Sequence, residues 1–387
     1  MTEANVRDAL LSTPVPDELD AQRRAWAVVR AAYAEREPAP KRTQRLRLLV
    51  AVAAAAALVA AALSPPGRSV GGWIRDRVAG VDEAEPALVS LPSAGRLLVL
   101  SEQGPWIVRP DGSKRLLGDY DDASFSPNAL FVVVTEGRRV AAVEPDGDLR
   151  WTVTRRTPVA DARWAPSPGY RVAYREGDTL RVVDGDGDGD RLLSEDVAPI
   201  APAWLPAAGR TVLAYADTAG RVHVVEADGE ELWTADPGSK PEQLLWSDDA
   251  ALLFVVTEGD RHPLYRTSGA PARVLESPAG WDVLDAAFAP GTRSIGYTAA
   301  DTAAGRSVLV LGEERLQAVE GHLEDLVFSP NGAWLATSWP EADQVLFVRL
   351  PGVSRIVAAS DIRQEFAPGS AGPVEFPRLA EWCCPAR

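Results

Sequence analysis

Two cysteines, one methionine and three histidines among 387 residues exclude several chemistries at once. The cysteines are neighbours, Cys383 and Cys384, so no disulfide joins distant parts of the fold. Adjacent cysteines can close only a small ring. The histidines, His223, His262 and His322, are 39 and 60 residues apart, with no H-E-x-x-H and no His/Cys cluster. That argues against a zinc site. No G-x-S-x-G elbow, Walker loop or dinucleotide-binding glycine loop occurs. Lysine is confined to Lys41, Lys114 and Lys240, so the 40 basic residues are nearly all arginine, a skew expected of a GC-rich genome.

Net charge is −15, unevenly spread. Residues 1–47 hold nine basic and seven acidic residues, and residues 64–82 hold three and two. The remainder carries 28 basic against 46 acidic residues. So acidic a main body is a poor match for nucleic acid, whose phosphates need cationic partners.

One long apolar run exists, Leu48 to Leu63. As a helix it spans about 24 Å, and Leu46 with a snorkelling Arg47 extends it toward a ~30 Å hydrocarbon core. Ser64-Pro65-Pro66-Gly67 ends it. The 47 residues before it disfavour a cleaved signal peptide. A single transmembrane helix over residues 46–64 is predicted. Lys41, Arg42, Arg45 and Arg47 precede it, so the N-terminus is expected in the cytoplasm and the bulk of the chain outside. Residues 65–84 read as a juxtamembrane linker or an interfacial helix, with Val70, Trp73, Ile74, Val78 and Val81 at helical spacing.

Residues 1–45 are too few for a core of their own. Within them, Asp17 to Glu37 predicts a helix with Leu19, Trp26, Val29 and Tyr33 on one face. That stripe is the candidate surface for a cytoplasmic partner, for self-pairing or for the inner leaflet.

From residue 85 onward the chain repeats itself. An aromatic residue, then Ser, Ala or Leu, then a turn, recurs as Phe125-Ser126-Pro127-Asn128, Trp164-Ala165-Pro166-Ser167, Trp204-Leu205-Pro206-Ala207, Trp246-Ser247-Asp248-Asp249, Phe288-Ala289-Pro290-Gly291 and Phe328-Ser329-Pro330-Asn331. The anchors are 39, 40, 42, 42 and 40 residues apart. A period near 40 with several β-rich runs and Asp-Gly turns per unit is one four-stranded propeller blade. An earlier copy fits from Ala87 to Leu117, with Leu91-Pro92-Ser93-Ala94-Gly95 at the anchor position. Phe366-Ala367-Pro368-Gly369 echoes the phrase once more. The expected fold over residues 85–387 is an all-β, seven-bladed β-propeller; six or eight blades also fit. Its C-terminal stretch is expected to close the first blade and leave no open edge.

The repeated phrase followed by an apolar strand resembles TolB-like and WD-repeat-like bacterial propellers over roughly residues 86–369. Two units, Val143 to Trp151 and Val225 to Trp233, place Trp four residues after Gly, and resemble the tryptophan-docking repeat of quinoprotein-type propellers. The other units lack it, so quinone binding does not carry over. The whole layout is similar to uncharacterised membrane-bound propeller proteins of actinobacteria. It is also similar to membrane-bound anti-sigma factors, without the His-x3-Cys-x2-Cys zinc pattern of many of those. The resemblance implies a binding platform and no particular ligand.

One stretch has ligand spacing. Asp184, Asp186 and Asp188, with Glu195, satisfy the oxygen positions of a calcium loop. The stretch sits where sibling repeats carry Asp-Gly hairpins, and position 8 is Arg191, so calcium is a secondary expectation beside a solvated hairpin. Trp164, Trp204 and Trp246 recur at equivalent places and are expected in the core. The sequence thus predicts a non-enzymatic, membrane-anchored, extracytoplasmic propeller that needs no cofactor and binds a protein or envelope component through its loops. The alternative is a transmembrane regulator whose residues 1–45 hold a cytoplasmic partner.

Overall fold

Each 40-residue period folds into one antiparallel four-stranded sheet, and seven such sheets are present in the computed structural model. It describes residues 83–85, 88, 90–166, 170–206, 210–353, 355–370 and 372–384. The predicted helices and the Leu19/Trp26/Val29/Tyr33 stripe fall outside these residues. Among the described residues no helix is long and apolar enough to cross a membrane.

Blade 2 shows the pattern: Asp122–Phe125, Val132–Glu136, Arg139–Val143 and Leu149–Thr154, paired in that order. The inner strand ends on the aromatic anchor, and the phrase after it makes the first turn. The Ser126 hydroxyl accepts the Phe131 N–H at 3.0 Å while the Ser126 N–H donates to the Phe131 carbonyl. Ser247 with Leu252 and Ser329 with Trp334 repeat this clasp. All three serines are buried, so the Ser of the phrase is a structural bond that a buried polar group requires. Asp249 and Asn331 in turn accept from the serine hydroxyl and from the turn backbone, as short polar side chains do in turns.

The anchors Phe125, Trp164, Trp204, Trp246, Phe288 and Phe328 are all buried. They fill the spaces between sheets together with apolar residues of the second and third strands, such as Val133, Val172 and Tyr174 between blades 2 and 3.

Blade 1 corrects the assignment of its anchor. Its chain-consecutive strands are Arg96–Ser101, Gly104–Val108 and Lys114–Leu116; its inner strand is Arg378–Cys383, supplied by the C-terminal stretch. Trp382 faces Leu97 as Phe125 faces Val132, so Trp382 is the seventh anchor and Leu91 is not. Leu91 is buried in the neighbouring cluster instead. The Phe366 echo is also no anchor. It ends a short helix, Ile362–Phe366, and meets Trp106 edge-on at 5.9 Å. The ring is therefore closed by pairing the two ends of the propeller, the device predicted for removing an open edge. A further strand, Glu83–Glu85, runs parallel to Ile356–Ser360 on the outside of blade 7. Cys383 and Cys384 are joined in a disulfide where the closing strand ends.

Trp382→Ala should therefore cost about 3–5 kcal/mol of unfolding free energy, as large-to-small changes at buried aromatics do. Urea denaturation of the variant checks this. A loss well below 1 kcal/mol would show that the last strand does not seal the ring.

Candidate functional site

The inner strands surround a central channel, and its lining is polar. Three residues before the seven anchors stand Asp122, Asp161, Ala201, Gln243, Asp285, Asp325 and Leu379. Four of the seven are aspartate, a recurrence the aromatic phrase overshadowed in the sequence. In blades 1, 3, 5, 6 and 7 the pairing of inner and second strands shifts at this height, a bulge that re-aims side chains. Asp161 and Asp325 sit at positive φ, 54° and 49°, where Asp is tolerated better than bulkier residues.

The residues so placed reach across the blade interfaces. Glu381 of blade 1 accepts the Phe125 N–H of blade 2 at 2.9 Å. Asp122 accepts the Arg163 guanidinium at 2.7 Å, and the Arg163 carbonyl accepts the Trp204 indole N–H at 2.8 Å. The Trp246 indole donates to the Ala203 carbonyl at 3.1 Å. Gln243 donates to Asp285 at 2.7 Å and accepts the Ala286 N–H at 3.1 Å. Asp285 accepts the Leu326 N–H at 2.6 Å, and Asp325 accepts the Leu379 N–H at 2.8 Å. Every neighbouring pair of blades is linked in this way, and the last link fastens the closing strand to blade 7.

The electrostatics follow from crowding acids into the channel. Burial, with the nearby Asp325 charge, pushes Asp285 up to about 7 against three N–H donors that pull the other way. Burial likewise raises Asp325 and Glu381, and it raises Glu242 with help from Glu258. Burial disfavours the Arg163 cation, but Asp122, Glu381 and Asp161 outweigh it and hold it above the ordinary arginine value. One end of the channel is a cavity of about 560 Å³ lined by these groups together with Leu284, His322, Glu324 and Arg378. A second cavity of about 440 Å³ shares Arg163, Glu242, Gln243, Ala380 and Glu381 with it and opens toward the anchor turns. The channel can hold polar or cationic groups at its mouth; deeper in, Asp122, Asp285, Asp325 and Glu381 each hold a backbone N–H or arginine partner, while the second oxygen of Asp122 is buried without one.

The chain matches no protein-family profile and no curated protein. It is similar in fold to the β-propeller domain of Cps50 (Swd1) from Myceliophteria thermophila, with a TM-score of 0.56 and 14% identity over 66% of this chain and 94% of that one. At that identity the likeness concerns fold alone.

The calcium-loop residues lie far from the channel. Asp184 ends a strand 3.4 Å from Arg171; Asp186 accepts the Asp188 N–H; Glu195 is exposed beyond the fourth strand of blade 3. Among the described residues, the acids whose oxygens come within 4.8 Å of one another are Glu144, Asp146 and Asp148, on the equivalent hairpin of blade 2. The glycines of the Asp-Gly run have a packing role: the Trp151 indole donates to the Gly185 carbonyl at 2.8 Å, and a Cβ on Gly187 would meet the Trp151 ring at 2.9 Å. Trp233 docks identically on blade 5, donating to Thr267 at 2.8 Å above Gly269. Both tryptophans thus bridge neighbouring blades.

The histidines are dispersed. His223 stacks on Tyr215 and contacts Asp217 and Glu231. His262 is buried against Phe254, which lowers its pKa. His322 meets Glu341 at 2.7 Å near the channel mouth.

A carboxyl whose folded pKa lies above its unfolded 3.8 costs stability once ionised, and that cost shrinks progressively as pH falls from about 7 toward 3.8. Wild type should accordingly gain stability over Asp285→Asn between pH 8 and pH 5.5. Chemical denaturation of both proteins at the two pH values checks this; a constant difference would contradict it.

Proposed function

We propose that this chain is a non-enzymatic binding propeller that a helix within residues 46–64 holds on the extracytoplasmic side of a membrane. The observation that carries the binding reading is the state of the channel acids. Asp122, Asp285, Asp325 and Glu381, the groups a reaction would draw on, are each committed to an arginine or backbone N–H of the next blade. That arrangement favours a rigid platform over a reacting centre. The partner is a protein or envelope component, met at the channel mouth where Leu284 is 42% exposed among Glu324, His322 and Arg378. The anchor and its direction are supported by the run Leu48 to Leu63 and the basic residues Lys41, Arg42, Arg45 and Arg47 before it.

A regulatory reading stands beside it, favoured by the Leu19/Trp26/Val29/Tyr33 stripe. In that reading the stripe holds a cytoplasmic regulator while the propeller senses a ligand outside.

Two measurements test the first reading. Alkaline phosphatase fused after Arg387 should be active and the same enzyme fused after Glu37 inactive; the reverse pattern would place the propeller in the cytoplasm. A photo-crosslinking residue at Leu284 should trap a discrete partner, whereas one at Val274, which is more exposed and on an outer strand, should not. Equal adducts at both positions would rule out the mouth as the binding surface.

A further inference from the structure

The two tryptophan-docking crevices are built alike and then diverge. In each, a tryptophan of one blade donates to a carbonyl of the next and lies over a glycine. Backbone bonds align the rest: Gly185 N–H to the Tyr170 carbonyl matches Thr267 N–H to the Ala251 carbonyl. By the same turns, Asp184 corresponds to Arg266, Asp186 to Ser268 and Phe131 to Val212. At these corresponding positions the blade 4/5 crevice carries small, neutral or basic residues, and Trp233 packs near Trp246 and Tyr265. The blade 2/3 crevice instead carries the rings of Phe131 and Tyr170 and the carboxylates of Asp184 and Asp186 at those positions, none of which docking requires.

Those additions leave a cavity of about 650 Å³ lined by Phe131, Trp151, Trp164, Tyr170, Asp184 and Asp186. Phe131 stacks on Trp164 with ring centroids 6.4 Å apart. Tyr170 is 47% exposed, its hydroxyl held by the Asn128 amide at 3.1 Å. A cation already sits on this surface: the Arg150 guanidinium lies 5.8 Å from the Phe131 centroid while pairing with Glu144. Of the two carboxylates lining the cavity, Asp184 lies 3.4 Å from Arg171, and Asp186 accepts the Asp188 N–H at 3.1 Å. Aromatic faces attract cations electrostatically, and nearby carboxylates add directional partners for a guanidinium.

We propose that the blade 2/3 crevice is a recognition site for an arginine side chain on a basic segment of a partner protein. The guanidinium stacks against the Tyr170 and Trp151 rings and bonds to Asp186, with Asp184 exchanging Arg171 for the incoming group. This site is separate from the channel mouth and does not depend on the side of the membrane, so its failure would leave the channel-mouth reading intact.

The test uses the full-length chain and a fluorescein-labelled Gly-Arg-Gly-Arg-Gly peptide, with its citrulline counterpart as the uncharged control. Anisotropy titration should give saturable binding of the arginine peptide. The citrulline peptide should bind at least about tenfold more weakly. Tyr170→Ala with Asp186→Ser installs the residues found in the blade 4/5 crevice; it should weaken binding at least about tenfold with the melting temperature unchanged. Tyr170→Phe should bind like wild type. If the double variant fails to fold, Tyr170→Ala alone is read the same way. No saturable binding to wild type, equal binding of citrulline, or undiminished binding by a folded variant would each overturn the proposal.

Discussion

Seven separate sheets share no single hydrophobic core, so the structure depends on what ties each sheet to the next at the channel. That tie is a side chain near the end of each inner strand reaching into the neighbouring blade. The links are chemically varied: carboxylate to backbone N–H, carboxylate to guanidinium, indole to carbonyl, amide to amide. A buried donor left unpaired costs about 1–3 kcal/mol, so each link is more consequential when broken than its net gain suggests. Apolar packing between sheets supplies the bulk of the attraction. The links fix how the sheets meet, and two of them, Asp325 to Leu379 and Glu381 to Phe125, hold the closing strand on both sides.

The same links explain the acidity of the channel. Carboxylates are good acceptors for several N–H groups at once, but confining them together raises the cost of ionisation. Asp285 shows the balance, with three donors opposing burial and the Asp325 charge. The folded state carries that strain because each carboxylate closes an interface.

The fold was legible because its signals are local and repeated. A buried aromatic, a clasping serine and an Asp-Gly hairpin each write themselves in adjacent residues, and the 40-residue spacing multiplies them. The ends of the ring were less legible. Trp382 is separated from its partner strand, Arg96–Ser101, by the whole propeller, and its phrase carries cysteines where siblings carry Ser and Pro. Leu91 and Phe366 imitated the motif more closely and turned out to be packing residues beside it. The aspartates three residues before the anchors were visible as a recurrence, yet their role depends on the bulge and on the next blade, neither of which spacing reveals. The acidic hairpin had calcium spacing; of its glycines, Gly187 is explained by the Trp151 ring that lands on it.

If the channel links hold the ring together as one cooperative unit, the amides they fix open only when the whole propeller does. Native-state hydrogen exchange at the Phe125, Leu326 and Leu379 amides tests it most directly. These three N–H groups should exchange only through global unfolding, with opening free energies equal to the stability measured by denaturation. Exchange of the Leu379 or Phe125 amide through a local opening several kcal/mol cheaper than global unfolding would show that the closing strand detaches by itself, and would contradict the account.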